Sequence, residues 1–556
     1  MAWTHCGRCG RSLGFQYSLI LNTFAVCALV QVVYEWDQTL IASNAKPLSD
    51  AFKATLTSVG TLFFVRALVQ VAVQPFWGHA SDIVARRWLL LAGCGIWGTV
   101  TVAMAFVSSW PALMVLRGTA GLGLAAILPV IHHLVGDAFV PSLRGRVFGM
   151  LGAFQMLGGI MSIEFATNLS GRDEVAGIAG WRFTFLCTGL FGVVVGAFAF
   201  MFLRGVEVLR GLGDVARHQK QVGRLALARM SPAAGEAGAG TAAATVEEAD
   251  RRRGAEEGCC GHLSDMGHGV VHLLGTPTYL LVFFRSALDG IPMNANALLI
   301  LWFEYMGYAE AHASQLVSVM LLCNCFSSLF FGWLGDEAHK WGRGGKHRIS
   351  VAALALVAQL CLTLLLFRGG PETGTGLSNG DDSNPSDDYW QWLVIVSILG
   401  LFGDADQQCC DLPLLGDIVH PSRRGLAYGI VDMVQCFFAF LATVVVGLLT
   451  EDVFGFVHDE THPIKDWDVG TRERNVKALG TSLLVVNLGA MGGSLVLYSL
   501  MFLTYERDAS RLRRQLDRER ASALDKEGGS VVSKEAAPTS TRDDASLLIE
   551  EEKERQ

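Results

Sequence analysis

Apolar runs of about 20 residues recur along this chain, each long enough as a helix to cross the ~30 Å hydrocarbon core of a bilayer. They lie at 16–42, 54–77, 86–108, 111–137, 144–168, 181–204, 277–303, 312–334, 348–368, 390–419, 424–450 and 478–504, twelve in all. Backbone polar groups find no water inside a bilayer, so spans of this length are helices. Composition agrees: 51% of the residues are apolar and 17% charged, which is not the make-up of several soluble domains. The sequence predicts an all-α, multi-pass membrane protein.

The spans divide six and six. The expected organisation is an N-terminus (1–15), a first six-helix bundle (16–204), a flexible linker (205–276), a second bundle (277–504) and a tail (505–556). The linker is rich in Ala, Gly, Glu and Arg and has no apolar periodicity to build a core. The tail begins as a charged helix at most and then turns Ser/Thr/Glu-rich, so most of it is expected to be disordered. Basic residues crowd alternate connections: Arg86 and Arg87, Arg144 and Arg146, Lys346 and Arg348, Arg423 and Arg424. The positive-inside rule then puts those connections, the linker and both termini in the cytoplasm. The net charge of −8 sits outside the spans and points to no nucleic-acid partner. Thirteen cysteines are scattered without a disulfide framework.

The two halves repeat. "VGDAFVPSLRGRVFGM" (135–150) returns 280 residues later as "LGDIVHPSRRGLAYGI" (415–430). Gly78 and Asp82, after span two, return as Gly332 and Asp336 after span eight, at an offset of 254. Internal duplication is common in secondary transporters. A glycine lets two helices approach closely, and an aspartate at a helix end pairs with an arginine or with another helix's positive N-terminus. Gly78, Asp82, Arg86, Arg87, Arg144, Gly332, Asp336 and Arg424 are therefore candidates for a conformational latch.

These residues resemble the major facilitator superfamily. Its signature G-x-x-x-D-R-x-G-R-R is met by Gly78, Asp82, Arg86 and Arg87, with Ile83 and Ala85 replacing an Arg and a Gly. Arg117-x-x-x-Gly121-x-Gly123-x-Ala125 looks like its second motif, and Gly180-Trp181-Arg182-Phe183 resembles the usual entry to helix six. The resemblance implies twelve helices in two pseudo-symmetric bundles that rock around a central site. Within the superfamily, spans one and four look most similar to the spinster-like branch. Asp37 matches that branch, whereas Gln38 and Leu124 stand where it carries an Arg and a Glu.

Ionisable residues inside a bilayer are functional candidates by default. Glu35 and Asp37 are two apart on span one and so face different sides. Arg66, Arg117 and Glu164 lie in spans two, four and five; Arg285 and Asp289 form an i,i+4 pair in span seven; Asp432 lies in span eleven. Span ten is polar: Asp404, Gln408 and Asp411 share one helical face, Asp406 points elsewhere, and Gly403 and Pro413 weaken the helix. His132 and His133 read as rim residues near the end of span four. Acids outnumber bases in the interior, which favours cationic, zwitterionic or neutral substrates. Carboxylates among apolar groups and like charges are candidate proton carriers.

No Walker sequence, nucleophile motif or metal-ligand cluster is present, so neither an enzyme nor a resident cofactor is expected. The expected function is secondary active or facilitative transport of a small organic solute by alternating access, with protons as a candidate coupling ion. The spinster-like resemblance adds lysolipid or sphingoid amphiphiles to the substrates. Organic cations, other metabolites, and a transporter-like receptor without net transport are alternatives. A monomer is expected. Asp543-x-x-x-Leu547-Leu548 resembles an endolysosomal sorting signal, which leaves endolysosomal and plasma membranes both open.

Overall fold

The structure is a computed structural model that describes residues 9–203 and 259–532 apart from short breaks, the longest at 369–386 and 458–468. Most of the linker and the sorting-like tail signal lie outside the described residues. What is described is almost entirely helical. Nine helices are by themselves long and apolar enough to cross a membrane among the described residues. A tenth, Pro277–Tyr305, passes jointly with Ser264–Leu274, from which it is bent by 93°. The remaining two of the twelve expected spans are span one and span ten. Span one (Cys9–Ser43) carries Glu35 and Asp37, and span ten is interrupted.

That interruption follows from sequence. Asp387–Gly400 ends in a turn at 401–403, and the chain resumes through a π-helical turn, Gln407–Asp411, before Leu412–Ile418. Gly403 lies at the break, and Pro413, which has no N–H to donate to the preceding turn, follows directly on the π-turn.

The twelve spans form two six-helix bundles. Span one packs along span five (Arg144–Ser170), and span seven along span eleven (Arg424–Leu448). The halves meet along two seams, span two (Leu56–Ile83) against span eleven and span five against span eight (Glu310–Lys340). Glycines make the seams close. A Cβ at Gly78 would stand 2.5 Å from the Gly425 carbonyl oxygen, and one at Gly145 would stand 2.6 Å from that of Gly332. Leu68, Trp333 and Leu503 point outward and exposed, as side chains bathed in lipid rather than water do.

Two expected boundaries shift. The connector 205–276 ends in a helix, Cys259–Leu274, whose Leu273 is buried. The tail from 505 continues span twelve as one helix, Val469–Val532. Its first two turns, within the stretch expected to be a charged helix at most, carry inward anchors. Tyr505 and Asp508 are buried, and Asp508 accepts hydrogen bonds from Thr278 N (2.9 Å) and Oγ1 (2.6 Å).

Candidate functional site

At one end of the bundle the repeated motifs lock the halves reciprocally. The Asp82 carboxylate accepts from the first free N–H groups of span eleven, Gly425 (2.7 Å) and Leu426 (2.9 Å). Asp336 does the same for span five, with Gly145 (2.9 Å) and Arg146 (2.8 Å). A carboxylate on unsatisfied helix N–H groups combines a charge-assisted hydrogen bond with the helix dipole. The arginines cross the same seam. Arg144 reaches Asp417 at 2.8 Å, and Arg424 reaches Asp137 at 2.9 Å.

Arg86 joins this network at Asp137 (2.7 Å). Arg87 does not cross: its guanidinium lies over the ring of Phe200, 5.6 Å from the centroid, in its own half. Arg348 ties Asp336 from within the second half at 2.5 Å. Asp137, Asp417 and Arg348 were not singled out as latch residues by sequence. The signal was present: Asp137 and Asp417 are the aspartates of the two repeated Gly-Asp pairs. Gly145→Val would wedge the seam between spans five and eight. It is expected to cost roughly 1–3 kcal/mol of thermal stability, measurable by differential scanning fluorimetry; an unchanged melting point would mean the seam is not close-packed.

Beyond the lock, a cavity of about 740 Å³ lies between the halves. The first half contributes Glu35, Gln38, Arg66, Gln70, His132 and Gln155; the second contributes Asp289, Asn324, Asp406, Asp432 and Gln435. Glu35 accepts from Gln155 Nε2 at 2.9 Å. Arg66 donates to Gln38 at 2.8 Å and to Gln70 at 3.1 Å. Gln38, where the spinster-like pattern has Arg, is thus a neutral partner for an arginine from the next span.

Two charged centres sit behind the cavity wall. Asp37 is fully buried and faces away from Glu35, as their spacing requires. Arg117 grips it with two parallel hydrogen bonds, 2.5 and 2.8 Å, Trp97 Nε1 donates at 2.7 Å, and Arg66 stands 3.4 Å away. In the other half, Arg285 is fully buried among three carboxylates. It pairs with Asp289 at 2.8 Å, with Asp411 at 3.2 Å, and with Asp406. Tyr498 of span twelve donates to Asp411 at 3.0 Å and offers its ring face to the guanidinium.

Asp406 therefore does not point away from Asp411. The i→i+5 bonding of the intervening π-turn brings both carboxylates onto one arginine, where an uninterrupted α-helix would separate them. Asp404 and the Gln408 side chain lie outside the described residues. Glu164 is exposed on the outer side of span five, its carboxylate 3.5 Å from Asn168, and is no part of the cavity. His132 and His133 are both buried. His133 joins the lock through Arg86 (2.8 Å) and Ser81 (2.9 Å), while His132 reaches the cavity. Among the described residues, no group of three or more His, Cys, Asp or Glu is placed to hold a metal ion.

Comparison with known proteins agrees with this architecture. A family model described as Major Facilitator Superfamily matches residues 27–245. Protein spinster of Drosophila melanogaster is 22% identical over 192 residues, covering 34% of this chain and 30% of that protein. Protein spinster homolog 1 of Homo sapiens is 25% identical over 198 residues, 35% of each chain. These matches thus span about a third of the relatives' own length. A crystal structure of a bacterial homolog of the human lysosomal transporter Spinster, inward-facing and unoccupied, superposes with a TM-score of 0.52 at 13% identity, covering 89% of this chain and 98% of that one. With its two repeated halves and paired motifs, the chain has the fold of these transporters, is similar to the major facilitator superfamily over residues 27–245, and resembles the spinster-like branch.

Proposed function

We propose that this protein is a secondary transporter that carries a small organic solute across a membrane by alternating access, coupled to protons. The observation that carries the reading is the reciprocal lock, with Asp82 on the start of span eleven and Asp336 on the start of span five. It closes one end of the bundle beneath a cavity that both halves line. Contacts that are few, polar and confined to helix ends can break as a set, leaving each bundle intact; a static pore has no use for them. By the distribution of arginines, the locked end faces the cytoplasm, so the described state is closed to the cytoplasm.

Coupling is assigned to the cluster around Arg285. One guanidinium neutralises one carboxylate, and Asp289, Asp406 and Asp411 are three. The excess acid is a store for protons, placed where a solute in the cavity would feel its charge through Asp289 and Gln435, which are 3.0 Å apart. The cavity wall carries Phe63, Phe64, Met156, Met293, Leu298 and Phe440 beside its polar groups. It therefore suits an amphiphile such as a lysolipid or sphingoid base better than a sugar.

Counterflow of a candidate solute in proteoliposomes tests the transport reading. Binding without exchange across a broad solute panel would sink it. Arg285→Gln is expected to abolish uptake driven by a pH gradient while leaving exchange at equal pH within about threefold. Gradient-driven uptake that survives this change would move coupling elsewhere, Asp37 being next.

A further inference from the structure

Among the described residues, four carboxylates line the cavity, and three of them have donors. Glu35 receives Gln155 (2.9 Å), Asp289 receives Gln435 (3.0 Å), and Asp406 receives Arg285 and the Gln407 N–H (3.0 Å). Asp432 is the exception. Its side chain is 1% exposed, and neither oxygen has a hydrogen-bond donor among the described residues. A buried carboxylate left without donors costs several kcal/mol. In a cavity wall, that cost is recovered when a ligand or a proton arrives.

The groups around Asp432 define what could arrive. His132, from the other half, places Nδ1 3.3 Å from one carboxylate oxygen, and that nitrogen also lacks a hydrogen-bond partner. Its ring is held against Phe148 and Tyr428, with centroids 5.7 and 5.6 Å away. Two ionisable groups near enough to feel Asp432 are neutral in their ordinary forms: Tyr279 from span seven and Cys436 from its own helix. Arg66 of span two, which acts on Cys436, is committed to Asp37, Gln38 and Gln70. Among the described residues, no Lys or Arg is paired with Asp432.

We propose that Asp432 anchors the ammonium group of a cationic amphiphile, whose hydrocarbon body lies along the apolar cavity wall. The inference rests on the transport reading for the meaning of the cavity. An ammonium supplies up to three N–H donors to two empty oxygens and a full positive charge to the carboxylate. An alcohol brings one donor and no charge. An anionic headgroup meets a wall of Glu35, Asp289, Asp406 and Asp432 against Arg66 alone. The anchor also straddles the seam, since Asp432 and Tyr428 belong to span eleven while His132 and Phe148 belong to spans four and five. A solute held there touches both halves at once.

Octylamine, octanol and octanoate share a chain and differ in the head group, so they make the test. Each is titrated calorimetrically into the full-length protein in nanodiscs, against empty-disc blanks. Octylamine is expected to bind roughly tenfold or more tighter than octanol, with octanoate weakest. Asp432→Asn should reduce octylamine to the octanol level and leave octanol unchanged. Asp432→Glu should restore part of the preference, and Glu164→Gln, on the outer face, should match the wild type. Equal binding of amine and alcohol by the wild-type protein overturns the proposal, even if Asp432→Asn does not fold. So does an amine preference that survives Asp432→Asn, and so does a pH response at this site without amine preference, which would make it a proton site only. If octylamine binds through Asp432 but no solute is ever exchanged, the anchor stands and the transport reading falls. If other solutes are exchanged while octylamine neither binds nor competes, the reverse holds.

Discussion

Arg117→Leu is expected to destabilise the first bundle by roughly 3–5 kcal/mol, because it strands a buried carboxylate. Asp37 has no exposed surface, and Arg117 supplies two of its hydrogen bonds. Arg66 remains at 3.4 Å, but it also serves Gln38 and Gln70 and cannot replace a two-point grip. Asp37→Asn should cost less, since an amide can still accept from Trp97. Combining it with Arg117→Leu should cost less than the sum, the mark of a direct pair. Thermal unfolding followed by tryptophan fluorescence measures all three. If Arg117→Leu melts with the wild type, Arg66 is the true partner and the spacing of this triad has been misjudged.

The second large effect is conformational. Asp82→Asn together with Asp336→Asn removes the charge from four hydrogen bonds to backbone N–H groups, two at each seam. Hydrogen bonds to charged groups contribute about 1.5–3 kcal/mol each. A net loss of about 3 kcal/mol shifts a two-state equilibrium by roughly 150-fold. Spin labels at Val84 and Trp341, exposed residues near the locked end of opposite halves, would report it. Their separation should be mostly short in the parent protein and mostly long in the double variant. A distance distribution that stays short would mean that Arg144–Asp417 and Arg424–Asp137 hold the end alone.

Much of this was legible in the chain, because bilayer physics writes itself into composition. Runs of apolar residues gave the spans, and the doubled Gly-Asp and Pro-Ser-x-Arg-Gly patterns gave the two equivalent corners. The partners of Asp82 and Asp336 were legible only as a type. A backbone N–H leaves no mark in sequence, so the start of a helix from the other half had to be seen. Span ten shows the opposite limit. An α-helical wheel puts Asp406 and Asp411 on different sides, and one π-turn reverses that. Glu164 was selected by depth along its helix, but depth says nothing of whether a side faces the cavity or the lipid. His132 was set aside as a rim residue because its neighbours come from spans five and eleven, far away in sequence.

The long helix that ends the chain has a mechanical consequence. At 1.5 Å per residue, its 64 residues extend about 96 Å, some three times the thickness of the hydrocarbon core. Beyond the bundle it is fastened to the second half, through Asp508 to Thr278, Glu506 to Lys346 at 2.8 Å and Glu519 to His420 at 3.2 Å. Such a rod turns with the half that holds it. A tilt of about 10° at the base, with roughly 20 Å of free arm beyond Glu519, would sweep the tip through about 3.5 Å. The machine thus carries its own pointer, amplifying a small rotation within the membrane into a displacement outside it that another molecule can read.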